Sequence, residues 1–269
     1  MFIETEDQTR LAVNVWGSGR PVVLVHAWGL NSHMWNAQIP ALAKAGYQAI
    51  TIDQRGHGRS DQPSGGYNLD TMAADVITVL DALDLDDVVL VGQSMGGTIV
   101  AHATGGLGSA RIAKLVLSAP ITPCLQLGPD NQVGLPAEAF EANREAMAAD
   151  IGAWLDANSA GYWGVGDDRW PRHTEWTLRT IYETPLPVLL ATNQAFSSAD
   201  LRKEIASIGC PVLVIQGDSD QSAPIHLTGE PTAKLPADVR LEVIQGAGHG
   251  LYTSYADRYN EALLDFIAT

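Results

Sequence analysis

The sequence predicts an α/β fold in which a mostly parallel, twisted sheet is covered by helices on both faces. Short runs rich in β-branched residues alternate with stretches of helical periodicity, which is the pattern of a buried parallel sheet. This alternation is interrupted once, in the second half of the chain. With 269 residues, 46% of them hydrophobic, the chain can bury a large core.

Seven runs have the length and composition of buried strands. They are Leu11–Trp16, Val22–Val25, Ala49–Ile52, Val88–Val91, Lys114–Leu117, Val212–Ile215 and Arg240–Ile244. Between the third and fourth runs, apolar residues recur at helical spacing from Leu69 to Leu83, and a similar stripe runs from Tyr255 to Ile267. Both helices are expected to pack against the sheet and to carry no chemistry.

The interruption lies between about residues 122 and 207, where no convincing strand occurs and the sequence becomes helical near Ala137–Asn158. We expect residues 1–121 and 208–269 to form the core and residues 122–207 to form a helical lid inserted between two strands. Ligands bind at the carboxyl edge of such sheets, so the lid is expected to cover a site there. Four aromatic side chains are candidates for the substrate pocket: Trp28, Trp154, Trp163 and Trp176. The last three belong to the lid, together with Trp170, and each lid tryptophan could instead pack the lid onto the sheet.

Charge and composition exclude several classes of partner. A net charge of −15 argues against binding to nucleic acid or to an anionic membrane. The apolar runs are too short to cross a bilayer, and Met1–Asp7 has neither the basic nor the apolar region of a secretory signal. Two cysteines, Cys124 and Cys210, suit a reducing compartment. The sequence therefore predicts a cytoplasmic protein and leaves its oligomeric state open.

The strongest motif is Gly92–Gly97, which reads Gly-Gln-Ser-Met-Gly-Gly and stands between the strand Val88–Val91 and a helix-like stretch. This is a G-x-S-x-G sequence in a strand–turn–helix context, which is typical of a nucleophilic serine. The flanking glycines allow a tight turn that exposes the serine hydroxyl. The sequence therefore predicts that Ser94 is a nucleophile.

A serine hydroxyl needs a base, which in chains with this motif follows the serine and a carboxylate in sequence. We predict that the base is His249, because it lies in the glycine-rich segment Gly246–Gly250 between the last strand and the last helix. Three other histidines follow the serine but lie in a helix, in the lid or beyond the acid turn: His102, His173 and His226.

The acid is expected in the turn after Val212–Ile215, where Asp218 and Asp220 compete. Its task is to hold the imidazole in the right tautomer and to stabilise the imidazolium. We favour Asp220 and expect Asp218 to hydrogen-bond the backbone of the turn, a common role for aspartate.

Two backbone N–H groups are predicted to form an oxyanion hole. One belongs to Met95, the residue after the nucleophile, and the other to Trp28 in the loop that follows Val22–Val25. His26 in that loop is expected to hydrogen-bond the backbone. The segment Asp53–Ser60 is expected to be a structural turn.

Taken together, these segments resemble the α/β-hydrolase superfamily and, within it, the cofactor-free haloperoxidases, which are also described as perhydrolases and aryl esterases. The resemblance covers essentially the whole chain and is weakest in the lid. The segments that carry it are 26–29, 55–60, 92–97, 109–118, 134–136, 217–220 and 248–252.

The resemblance implies ester hydrolysis through an acyl-enzyme, without a metal or an organic cofactor, on a small-molecule ester substrate. It also implies a side reaction in which peroxide replaces water. Ala27 stands where a glycine is usual, and Gly29 stands where many relatives have a proline. That proline is tied to perhydrolysis in the family, so its absence weakens the expectation of peracid formation.

Other functions remain open at this point. A lactonase or a carbon–carbon bond hydrolase would use the same triad, and a ligand receptor could keep the fold without catalysis. Clustered tryptophans predict an apolar acyl pocket that prefers neutral or aromatic esters. The alternative is that one lid arginine turns inward to bind a carboxylate, and the candidates are Arg144, Arg169, Arg172 and Arg179.

Overall fold

A computed structural model describes residues 1–108 and 110–269. Ser109, which begins one of the segments similar to the family, lies outside the described residues. Eight strands form one sheet: Phe2–Glu4 (β1), Arg10–Trp16 (β2), Pro21–Val25 (β3), Gln48–Ile52 (β4), Val88–Gln93 (β5), Ile112–Ser118 (β6), Val212–Gly217 (β7) and Val239–Ile244 (β8). Their order across the sheet is β1-β2-β4-β3-β5-β6-β7-β8. Pairings of β1 with β2 and of β2 with β4 are antiparallel, and the remaining pairings are parallel.

The predicted fold class is confirmed, and each of the seven expected runs lies in a strand. The sequence did not indicate β1, because three residues at the edge of a sheet, two of them exposed, give no recognisable alternation. Strand β5 extends two residues beyond the expected run, so that Gln93 is its last residue.

Eleven α-helices are present within the described residues. They are Gln38–Lys44 (α1), Leu69–Ala82 (α2), Met95–His102 (α3), Ala137–Ala149 (α4), Ile151–Asn158 (α5), Pro171–Glu183 (α6), Leu186–Ser197 (α7), Arg202–Ala206 (α8), Gly229–Thr232 (α9), Leu251–Ser254 (α10) and Ala256–Ala268 (α11). Across residues 1–108 and 110–269, no helix is both long and apolar enough to span a bilayer.

The core lies on both faces of the sheet because alternate strand residues point to opposite sides. Val23 and Val25 of β3 belong to the cluster that includes residues of α2 and α3. Val22 and Leu24 belong to the cluster that includes residues of α1 and α11. These two layers fix the central strands, so their carboxyl ends form a rigid edge.

Helices α4 to α8 form an insertion between β6 and β7. The stretch that the sequence indicated as helical near Ala137–Asn158 is two helices, because Asp150 ends the first and caps the second. Its side chain accepts a hydrogen bond from Ala153 N at 2.9 Å. The division into a core and a lid at residues 122 and 207 stays a prediction.

Candidate active site

Ser94 stands at the sharp turn between β5 and α3. Its backbone has φ +56° and ψ −117°, a region that non-glycine residues rarely adopt. The neighbouring strand holds the turn, since Ser94 N donates to Ser118 O at 2.9 Å. The strained turn therefore places Ser94 at the carboxyl edge of the sheet, where the residue is 6% exposed.

Two glycines allow this turn because there is no room for a Cβ at either position. A Cβ on Gly92 would lie 2.2 Å from Gly96 O, and a Cβ on Gly96 would lie 2.3 Å from Val25 O and 2.6 Å from His26 O. The start of α3 is therefore packed directly against the end of β3. This contact brings the serine turn next to the loop that contains Trp28.

His249 and Asp220 form a buried pair. His249 Nδ1 and Asp220 Oδ2 are 2.8 Å apart, and the two side chains are 6% and 0% exposed. The other carboxylate oxygen of Asp220 accepts from Ser222 N at 2.9 Å and from Ala223 N at 2.8 Å. Both oxygens are thus occupied, and the imidazole is left with Nε2 as its available nitrogen.

Asp218, the competing acid, has a different partner. Its carboxylate accepts from Gly246 N at 2.7 Å and from Ser219 Oγ at 3.1 Å. The contact with His249 is therefore made by Asp220, while Asp218 joins its own turn to the histidine loop.

Two backbone N–H groups, one in the serine turn and one in the loop after β3, lack an acceptor among the described residues. Met95 is the first residue of α3, so its N–H has no acceptor within the helix. Trp28 N–H has no hydrogen-bond partner among residues 1–108 and 110–269. A residue of the insertion holds the indole ring of Trp28, because Trp28 Nε1 donates to Leu189 O at 2.9 Å.

Sequence reasoning missed two residues that hold His249. Gln93, fully buried, donates from Nε2 to His249 O at 2.9 Å. Tyr162, in the insertion, lies edge-on to the imidazole with ring centroids 5.6 Å apart, and its carbonyl accepts from Gly250 N at 2.7 Å. Burial raises the pKa of the Tyr162 hydroxyl to about 12, so this ring is neutral next to the histidine.

Tyr162 belongs to a turn segment that contacts the histidine loop. Val165 N donates to Gly246 O at 2.7 Å, and Gly164 pairs with Ala247 in an antiparallel bridge. A Cβ on Gly248 would lie 2.4 Å from Gly164 N. We call residues 161–165 the strap, since they bind the backbone of the loop that contains His249.

The four tryptophans proposed for the substrate pocket lie in different surroundings. Trp28 and Trp154 meet edge to face, with ring centroids 5.7 Å apart. Trp163 is only 1% exposed and packs among Tyr162, Tyr252, Trp170 and His173. Trp176 lines a cavity of about 340 Å³ whose lining does not include Ser94, Asp220 or His249. The structure therefore brings Trp154 of the insertion to Trp28 in the loop that follows β3.

His26, in the same loop, packs against His57 with ring centroids 5.1 Å apart, and both residues are fully buried. His26 Nδ1 donates to Ala27 O at 2.8 Å, and its Nε2 accepts from Gln54 N at 2.9 Å. Burial lowers the pKa of His26, and burial together with His26 lowers the pKa of His57 to about 3. Both rings are therefore neutral and hold the loops in shape.

The described residues contain no group of three or more histidine, cysteine, aspartate or glutamate side chains arranged to hold a metal ion. His102 is held by two carboxylates, Asp70 and Glu204, each 2.7 Å from one ring nitrogen. It therefore ties α3 to α2 and α8 at the far end of the helix from Ser94.

Known proteins are similar to this chain over nearly its whole length. The family model of the alpha/beta hydrolase fold matches residues 20–161. The chain is 35% identical to a non-heme haloperoxidase of Rhodococcus erythropolis, over 99% of this chain and 98% of that protein. It is 30% identical to a bifunctional esterase/perhydrolase of Acinetobacter calcoaceticus, over 99% of both chains. A crystal structure of a bromoperoxidase from Bacillus anthracis superposes with a TM-score of 0.94 at 33% identity, covering 100% of this chain and 99% of that one.

Proposed function

Because the chain belongs to the α/β-hydrolase fold family, we propose that it is a serine esterase that cleaves small carboxylic esters through an acyl-enzyme. One observation carries the proposal. The buried Asp220–His249 pair is hydrogen-bonded to the residue that precedes Ser94, so a nucleophile, a base and an acid meet at one edge of the sheet. The similarity to a protein named an esterase/perhydrolase supports the same reaction class.

In the first step, His249 Nε2 takes the proton of Ser94 Oγ as the hydroxyl attacks the ester carbonyl carbon. The carbonyl oxygen becomes an oxyanion, which Trp28 N–H and Met95 N–H stabilise. Asp220 keeps the proton of the neutral imidazole on Nδ1 and stabilises the imidazolium that forms. His249 then protonates the leaving alcohol, and the acyl group remains on Ser94.

In the second step, a water molecule takes the place of the alcohol. His249 accepts its proton while the oxygen attacks the acyl carbon, and the second oxyanion uses the same two N–H groups. Collapse of this intermediate returns the proton to Ser94 and releases the acid. No step calls for a metal or an organic cofactor.

Peracid release is expected to be a minor reaction. Gly29 has φ +67°, whereas a proline ring fixes φ near −65°, so this loop is shaped differently from one that contains proline. We propose that the insertion acts as a lid over Trp28, with its own Trp154 packed against that ring, and that it limits the size of the substrate. Lactone opening remains the alternative use of this triad, and a cytoplasmic location remains a prediction.

The test is to trap the acyl-enzyme. Enzyme mixed with p-nitrophenyl acetate and quenched in acid should carry one acetyl group, and digestion should locate it on the peptide that contains Ser94. The Ser94→Ala variant should carry none and should release no nitrophenol above background. An acetyl group on another residue, or turnover without Ser94, would refute the proposal, and failure of the wild-type enzyme to hydrolyse any ester would favour a receptor.

A further inference from the structure

We propose that Gln93 is a positioning residue that fixes the position of His249 relative to Ser94; this rests on the proposed function of those two residues. Gln93 ends β5 and immediately precedes Ser94. Its side chain is fully buried, and its Nε2 donates to the main-chain carbonyl of His249 at 2.9 Å. The nucleophile and the anchor of the base therefore stand on adjacent residues of one turn.

The orientation of the Gln93 amide follows from hydrogen-bond chemistry. A carbonyl oxygen can only accept, so the NH₂ group must face His249 O and Oε1 must face the other way. Oε1 meets the hydroxyl of Ser118, which donates to it. Ser118 is the register partner of Gln93 on the neighbouring strand, and it is also fully buried.

The histidine loop depends on such an anchor because glycines surround His249 on both sides. Asp220 holds the imidazole through Nδ1, but that contact fixes the ring and not the loop backbone. The strap binds the adjoining N–H, since Gly250 N donates to Tyr162 O at 2.7 Å. Gln93 binds the main-chain carbonyl of His249. Among Asp220, the strap and Gln93, only Gln93 is adjacent to Ser94 in the sequence.

Removing this anchor should slow chemistry more than binding. A displacement of the base by about 1 Å can cost about a hundredfold in rate. We therefore expect Gln93→Met, which keeps the length of the side chain and removes both polar atoms, to lower kcat about 10- to 100-fold. KM for p-nitrophenyl acetate should change little, because the substituted atoms are buried away from the ester.

Gln38 supplies a matched control. It is equally buried, and its Nε2 also donates to a main-chain carbonyl, that of Tyr252 at 2.9 Å, as well as to Asn260 Oδ1 at 3.0 Å. Gln38→Met should lose at least as much thermal stability as Gln93→Met while keeping kcat within about threefold of wild type, since its lost hydrogen bonds are of the same kind but hold no reacting group.

A pH profile separates positioning from a general loss of stability. In Gln93→Glu, a protonated carboxyl can donate to His249 O, whereas an ionised one faces the carbonyl with a negative charge. Burial raises the pKa of an introduced carboxyl, so both forms should occur in the working range. The ratio of kcat in this variant to kcat in wild type should therefore fall as the pH rises from about 6 to 9.

Ser118→Ala removes the hydroxyl that orients the Gln93 amide; it should lower kcat several-fold, and it tests the inference on its own if Gln93→Met does not fold. Where Gln93→Met folds, adding Ser118→Ala to it should lower kcat no further, because the amide that the hydroxyl orients is already absent. The inference is refuted if Gln93→Met keeps kcat within threefold of wild type, if Gln38→Met loses as much, or if the ratio for Gln93→Glu is independent of pH. A variant that still acetylates Ser94 stoichiometrically, but slowly, supports the inference, whereas absence of acetylation in wild type refutes the proposed function itself.

Discussion

Replacement of Asp220 by asparagine should reverse the tautomer of His249, the base of the proposed mechanism. One carboxylate oxygen accepts from two backbone N–H groups, Ser222 N and Ala223 N, and the other faces His249 Nδ1 at 2.8 Å. In Asp220→Asn, the amide oxygen must stay on the two donors, so the NH₂ group must face Nδ1. His249 then accepts at Nδ1 and carries its proton on Nε2, where it cannot take the proton of Ser94.

The expected loss is large because the Asp220 side chain has no exposed surface through which water could replace it. An aspartate-to-asparagine change at this position in a serine triad lowers kcat by about 10⁴-fold, which corresponds to about 5 kcal/mol of transition-state stabilisation. Stability should change little, since the amide oxygen keeps both backbone hydrogen bonds. Steady-state hydrolysis of p-nitrophenyl acetate and thermal unfolding of the same preparations measure the two effects.

Asp218→Asn is the control for this prediction. Its carboxylate also accepts a backbone hydrogen bond, from Gly246 N at 2.7 Å, but it does not contact His249. We expect its kcat/KM to stay within about tenfold of wild type. Activity of Asp220→Asn within tenfold of wild type, or a greater loss in Asp218→Asn, would show that the tautomer reasoning is wrong.

Three further outcomes are expected. Ser94→Ala should keep the fold and lose at least about 10³-fold in kcat/KM, and a residual activity above a tenth of wild type would exclude Ser94 as the nucleophile. Burial lowers the pKa of His57 to about 3 in the folded protein, whereas its pKa in the unfolded chain is about 6.5. Between about pH 3 and pH 6.5 the unfolded state therefore binds more protons than the folded state. The free energy of unfolding of wild type should therefore fall as the pH drops below about 6.5. Between pH 7 and pH 5, this free energy, measured by urea unfolding, should fall by about 2 kcal/mol less in His57→Phe than in wild type. Equal decreases in the two proteins would contradict the pKa assigned to His57. Phenyl esters with carboxylate-bearing acyl groups should react at least about tenfold more slowly than neutral ones. Equal or faster turnover of the charged esters would contradict this expectation. If that turnover disappeared in Arg144→Met, Arg144 would be an anion-binding group. This half-buried arginine of α4 donates hydrogen bonds to neutral side chains of α7.

The strands and the serine turn could be predicted because their signals are local. A β-branched run, a glycine on each side of Ser94 and a change to helical spacing all lie within a few residues of one another. The contact of His249 with Asp220 rather than Asp218 was also predicted. The role expected for Asp218 was wrong, because Asp220 itself accepts from the backbone of the turn, whereas Asp218 accepts from Gly246 N of the histidine loop. Segment ends were less certain, as the break at Asp150 shows.

The residues that hold His249 could not be predicted in the same way. Gln93 and His249 are 156 positions apart, and their hydrogen bond depends on the conformation of a glycine-rich loop. Tyr162 and the strap lie in an irregular part of the insertion, where no periodicity indicates which side chains point inward. A buried polar residue at the carboxyl end of a central strand, as Gln93 is, was the one available signal.

The antiparallel bridge between Gly164 and Ala247 has a consequence for protein engineering. Exchange of the insertion between relatives is a natural way to change the substrates of such a hydrolase. Here a graft that replaces residues 161–165 also replaces the partner of the loop that contains His249, and side chains larger than hydrogen at position 248 do not fit against that partner. A chimera should therefore keep residues 161–165 and 246–250 from the same parent, with the splice points placed outside both segments.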